Sequence, residues 1–173
     1  SAYVPFSSTL CKLAAAAESS SLPYSFSLYW VKAQDSMSGK RGVQDGVGEQ
    51  TAALALVMTA KDAYHSYAHS SPGGVYPLTV SLTQSVKGAK IVYPAGREAQ
   101  DIFEPDKTVD IHEGRTPVLL LFPDVLPAPG TALHIAMLAC SEEHCVPIRA
   151  TLPLPPLPDP LPALSDSLPW AEG

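Results

Sequence analysis

The sequence predicts an all-β protein, an immunoglobulin-like β-sandwich with a Pro-rich C-terminal tail. Three observations carry that expectation. Short segments of alternating apolar and polar residues recur at roughly ten-residue spacing. Clusters of Gly, Pro, Ser and Asp separate them. Helical and strand patterns do not alternate, as a thioredoxin or Rossmann fold would require.

The elements follow in order. Residues 1–20 are weakly patterned; the Ala run in Leu10–Ser19 favours a short helix or a remnant of a processed leader. Tyr24–Lys32 alternates, with Tyr24, Phe26, Leu28 and Trp30 on one face and Ser25 and Ser27 on the other, which marks a half-buried strand. Residues 33–49 read as a loop. Thr51–Ala60 is apolar enough for a helix or a buried strand; its turn-like flanks favour strand. Ala63–Ala68 follows, then the Ser-Ser-Pro-Gly-Gly turn at 70–74. Pro77–Gln84 alternates with Leu78, Val80 and Leu82 inward. Lys90–Tyr93 is a short strand, and Pro94–Lys107 an irregular loop. Thr116–Phe122 reads as a strand buried on both faces. Thr131–Ala139 turns Leu133, Ile135 and Met137 to one side, and Cys145–Leu152 is the last strand.

Seven prolines fall in residues 153–173. At that density the chain favours polyproline II, a semi-rigid spacer. The expected organisation is an extension (1–20), a domain (21–152) and a Pro-rich linker (153–173).

Composition excludes several function classes. Of 173 residues, 46% are hydrophobic and 16% charged, so the chain can build a core. A net charge of −6 with scattered Lys and Arg argues against a nucleic-acid partner. The longest apolar runs, Ala52–Met58 and Val118–Phe122, fall well short of the roughly 18 residues of a membrane-spanning helix. A soluble monomeric domain is expected. No Gly-rich phosphate loop, H-E-x-x-H or G-x-S-x-G motif occurs. No cofactor or metal is called for.

The chemistry concentrates at Cys140 and Cys145, which flank a four-residue turn. Cys11 is left over. Residues flanking such a turn in a hairpin lie opposite each other, within disulfide reach. A bridge closing so short a loop contributes only about 2 kcal/mol. Reversible exchange is therefore favoured over a structural staple in an immunoglobulin-like binding module, and over a copper-handling domain binding metal through Cys140, His144 and Cys145. Glu142 and Glu143 would raise a neighbouring thiol pKa, whereas protonated His144 would lower it. Tyr64 and Tyr67 read as packing residues. His65, His69, His112 and His134 are dispersed and read as structural or exposed.

The order of several segments resembles the N-terminal domain of the bacterial thiol:disulfide interchange protein DsbD. Those segments are Lys61–Tyr67, Ile91–Pro94, Asp101–Glu104, Arg115–Val118 and the hairpin Cys140…Cys145-Val-Pro147. The resemblance spans residues 22–152. It implies a periplasmic protein-disulfide reductase domain with an immunoglobulin-like fold, part of an inner-membrane protein, with the tail leading toward a membrane domain. It further implies that electrons arrive from a thioredoxin-like domain of the same protein. They leave to oxidised thioredoxin-fold periplasmic partners such as a disulfide isomerase or a cytochrome c maturation protein. Cys145 matches the cysteine that forms mixed disulfides, and Cys140 its resolving partner. Phe103 matches the aromatic of a cap loop over the disulfide, and Asp101 an acidic residue near the cysteines. Glu104 completes that loop where the family has tyrosine, and Ile102 stands where it has a second acid. The turn is one residue shorter than in the enteric pattern.

Overall fold

In the computed structural model the described residues are 4–5, 22–34, 50–71 and 76–163. Cys11, the Leu10–Ser19 segment, most of the 33–49 loop, the turn from residue 72 to 75 and the tail beyond Ala163 lie outside them. Among the described residues there are eleven strands and no helix. They are β1 (Val4–Pro5), β2 (Tyr24–Gln34), β3 (Gln50–Ala60), β4 (His65–Tyr67), β5 (Thr79–Leu82), β6 (Lys90–Val92), β7 (Arg97–Gln100), β8 (Thr108–His112), β9 (Arg115–Phe122), β10 (Ala132–Cys140) and β11 (Cys145–Pro153).

These strands form two antiparallel sheets. The first has the order β1-β2-β3-β9-β6, and the second β11-β10-β4-β8-β7. Strand β5 pairs with β10 on the side where β4 also pairs, but further from the cysteines. The inner faces of both sheets share one core. Tyr24, Phe26, Leu28, Trp30, Leu54, Leu56, Met58 and Leu120 enter it from the first sheet; Val80, Leu133, Ile135, Met137, Ile148 and Leu152 enter it from the second. Each such side chain contributes roughly 1.5–3 kcal/mol on burial. Together they make the all-β sandwich that the alternation in β2 and β10 predicts.

The ambiguous segment Thr51–Ala60 is a strand. It pairs with β2 on one side and β9 on the other. Its second face carries Ala53, Ala55 and Val57 into a separate apolar cluster with Val31, Ala33, Leu119 and Leu121. Burial on both faces explains why its alternation is invisible in the sequence.

Pro94–Lys107 departs from the expected irregular loop. Residues Arg97–Gln100 form β7 and pair with β8, from Arg97↔Ile111 to Gln100↔Thr108. Of β7's four side chains only Ala99 is half-buried, so the strand has almost no hydropathy signal. Gly96 permits its approach: a Cβ there would lie 2.9 Å from the Ala68 Cβ and 3.0 Å from the Ile111 nitrogen.

Two inward polar groups are matched locally. The Tyr24 hydroxyl donates to Ser66 Oγ at 3.1 Å and lies 3.3 Å from the His112 carbonyl. The Trp30 indole donates to the Pro155 carbonyl at 2.7 Å. Further along, the Lys32 amide donates to the Pro162 carbonyl at 2.9 Å. The Pro-rich segment up to Ala163 thus lies along β2, using proline carbonyls as acceptors where prolines lack donors.

Candidate redox site

Strand β10 ends at Cys140 and β11 begins at Cys145. The ladder between them runs in register from Ala132↔Pro153 to Cys140↔Cys145. Ser141 closes the turn: its amide donates to the His144 carbonyl at 2.9 Å, and its Oγ accepts from the amides of Glu143 and His144. A short polar side chain that caps neighbouring amides suits this tight reversal. The two cysteines are disulfide-bonded, with Cα atoms 4.1 Å apart. This is the expected cross-strand pair.

The pair is asymmetric in exposure. Cys140 is fully buried, whereas Cys145 is half-exposed. The burial of Cys140 has a tertiary cause. On its other flank it lies opposite His65 of β4. On the outer face of the second sheet it packs with Tyr67, Val109 and Ile111 in a small apolar cluster edged by Ala99, Leu138 and Cys145. Burial holds the His65 pKa below its ordinary value, a shift that Arg97 reinforces and the charges of Glu113 and Asp101 oppose.

The loop between β7 and β8 borders this cluster. Asp101 anchors it: Oδ1 accepts from the Tyr67 hydroxyl at 3.1 Å and from the Phe103 amide at 3.2 Å. Its far side is closed by the Lys107–Glu104 ion pair at 2.7 Å, with both side chains exposed, so the pair contributes little to stability. Tyr67 is pushed up to about 12, first by burial and then by its bond to Asp101 and that carboxylate's charge. Phe103 is 63% exposed and Ile102 39%.

A cleft of about 800 Å³ opens beside the disulfide turn. Ile102, Tyr64, His65, Glu142, Glu143 and His144 are among the residues that line it. Of Ile102 and Phe103, Ile102 is the one that lines this cleft. The Tyr64 hydroxyl lies 3.1 Å from His144 Nε2, with the rings edge to face. Glu142, Glu143 and His144 are exposed on the turn.

The structure thus brings together Cys140, Cys145, Glu142, Glu143 and His144 on one turn, with Asp101 fastened to the adjoining strand. It adds three residues that the sequence reading assigned to packing or structure. Tyr64 reaches His144, His65 stands opposite Cys140, and Tyr67 both packs and holds Asp101. Their signal in the sequence is the aromatic-rich segment Lys61–Tyr67, which does not show its register against β10. Among the described residues, no three His, Cys, Asp or Glu side chains converge as a metal site.

A β-sandwich with a bridged hairpin at the rim of one sheet is the class that these features define. No protein-family model matches the sequence, and no curated protein matches it. Among solved structures, the chain is similar to the N-terminal periplasmic domain of ScsB from Proteus mirabilis. The TM-score is 0.51 at 16% identity, covering 83% of this chain and 49% of that one. The chain therefore spans about half the length of that structure. It also overlaps the reduced DsbD N-terminal domain of Neisseria meningitidis, with a TM-score of 0.47 and 13% identity over 61% of this chain and 78% of that one. The likeness to the ScsB domain is one of fold. The two-sheet, all-β arrangement of the chain itself agrees with the sandwich expected from the sequence.

Proposed function

We propose that this chain is a periplasmic thiol–disulfide exchange domain acting through the Cys140–Cys145 dithiol–disulfide couple. One observation carries the reading: an in-register hairpin disulfide in which one sulfur belongs to a half-exposed residue and the other to a fully buried one. A bond closing six residues adds only about 2 kcal/mol to a sandwich that already has a continuous core. The bridge is thus poorly placed as a staple and well placed for exchange.

In this reading Cys145 forms the mixed disulfide and Cys140 resolves it. The loop carrying Asp101, Phe103 and Glu104 acts as a cap that a partner displaces. The exposed His144, Glu142 and Glu143 set the charge around the departing thiolate. The domain would accept electrons from a thioredoxin-like donor and pass them to oxidised thioredoxin-fold partners, as a protein-disulfide reductase in a membrane-tethered assembly. Cytochrome c biogenesis is one process such a relay would serve.

The reduction potential tests the proposal. Equilibration of the full chain in glutathione or dithiothreitol buffers should place the couple within reach of thioredoxin-like proteins. A potential below about −300 mV would identify an inert structural bridge and an immunoglobulin-like binding module instead. The Cys140→Ser variant should trap a thioredoxin-fold protein through Cys145.

A further inference from the structure

Strand β11 lies at the margin of its sheet: among the described residues it pairs only with β10. The direction of its backbone groups follows from the register. Across the turn the Ser141 amide donates to the His144 carbonyl, which is the phase of a hydrogen-bonded pair. Such pairs alternate along an antiparallel ladder, so Cys140↔Cys145 is a non-hydrogen-bonded pair and Ala139↔Val146 a hydrogen-bonded one. The 4.1 Å Cα separation of the cysteines agrees with this. The Cys145 N–H and C=O therefore point away from β10, to the open margin. They make no hydrogen bond among the described residues.

Prolines limit this margin. Pro147 and Pro153 occupy the same outward phase as Cys145, so neither offers a donor there. Long strand addition along β11 is blocked, as at a protected sheet edge. A donor and an acceptor remain together at Cys145.

The chemistry needs an approach to the same place. A thiolate attacks a disulfide sulfur from the side opposite the leaving sulfur. The Cys140–Cys145 bridge crosses the ladder from β11 to β10, so its extension beyond Cys145 emerges at the open margin. Beyond Cys140 it meets β4 and His65, where Cys140 is fully buried.

From this geometry we infer that the margin of β11 at Cys145 is the docking site for an extended backbone segment carrying a reactive cysteine. Two antiparallel hydrogen bonds join that cysteine to Cys145: its N–H donates to the Cys145 carbonyl, and its carbonyl accepts from the Cys145 N–H. A hydrogen-bonded pair places Cα atoms about 5.5 Å apart with side chains on one face, within the disulfide range. Exchange then moves one bond from the inner neighbour of Cys145 to the outer one. The partner thiolate forms a bond to the Cys145 sulfur, the Cys140–Cys145 bond breaks, and Cys140 leaves as the thiolate with the electron pair. A second thiol of the partner, as its thiolate, attacks its own sulfur in the mixed disulfide and releases Cys145. The partner ends as a disulfide, and the domain gains two electrons and takes two protons from water. The inference rests on the exchange function proposed above.

The test uses the oxidised full chain and three five-residue peptides with a central cysteine. One is unmodified, one N-methylated on the cysteine, and one N-methylated on the residue before it. The cysteine N-methyl removes the donor aimed at Cys145, whereas the other methyl points away from β11. The rate of mixed-disulfide formation should fall about fivefold or more for the first methylated peptide, as expected for losing one such bond, and change little for the second. Mass mapping should place the peptide on Cys145. Equal rates for the two methylated peptides, or attachment at Cys140, would overturn the docking geometry. If dithiothreitol opens the disulfide under those conditions, the exchange function survives that result. If no thiol opens it, exchange and docking both fall.

Discussion

The hydroxyl of Tyr67 donates to Asp101 Oδ1 at 3.1 Å, which ties the loop after β7 to the strand beside Cys140. The bond is a side-chain link from the candidate cap to β4, the strand that flanks Cys140. Tyr67→Phe keeps the ring in the small outer cluster and removes the tie. The expected result is a loss of about 1 kcal/mol in stability, typical of a single hydrogen bond. Reduction of the disulfide by dithiothreitol should become faster, because the loop is released. An unchanged rate would show that this loop does not gate the sulfurs.

Removing the bridge should be tolerated. The Cys140→Ser/Cys145→Ser double variant is expected to lose about 2 kcal/mol, measured as a shift in the urea midpoint, and to retain its sheet signal in circular dichroism. Loss of folding would mean that the disulfide is structural and would count against the exchange reading.

The core should be far less forgiving. Leu56 and Leu120 are nearly or fully buried where the two sheets meet. Truncating either to Ala is expected to cost about 2–5 kcal/mol in chemical denaturation, through lost transfer energy and the cavity left behind.

Alkaline pH should destabilise the domain. Burial pushes Tyr24 up to about 12, a shift only partly offset by its bond to Ser66, and Tyr67 is likewise raised to about 12. Both phenols are protonated in the fold at pH values where unfolded tyrosine, with a pKa of about 10, ionises. Their contribution is therefore complete below about pH 10 and is lost as pH rises toward 12. A pH series of urea midpoints checks this, and Tyr24→Phe should flatten the alkaline limb.

The acid limb has the opposite sign. Burial lowers the pKa of His65 and of His112, whose buried Nε2 has no hydrogen-bond partner among the described residues. The unfolded chain binds protons more readily than the fold below about pH 6.5, so stability should fall as pH drops through that value. His112→Leu removes that nitrogen and should reduce the slope below about pH 6.5.

Much of the architecture was legible because one-sided burial leaves a period of two. Tyr24, Phe26, Leu28 and Trp30 enter the core as read, as do Leu133, Ile135 and Met137. Thr51–Ala60 was harder, since Ala53, Ala55 and Val57 are buried on its second face and erase the alternation. Strand β7 was not legible at all. Its sequence, Arg-Glu-Ala-Gln, buries little, and its identity comes from pairing with β8.

At the site, the chain order of Cys140, four residues and Cys145 was enough to place the two sulfurs together, because a hairpin turn is a local structure whose register follows from its length. The difference between the two cysteines belongs to the tertiary fold. Cys140 is sealed because β4 lies against β10 and sets His65 opposite it, while β11 has no outer neighbour among the described residues. Contacts between segments more than seventy residues apart, such as Tyr64 with His144 and His65 with Cys140, leave no periodicity in the chain. Only the packing of the strands decides them.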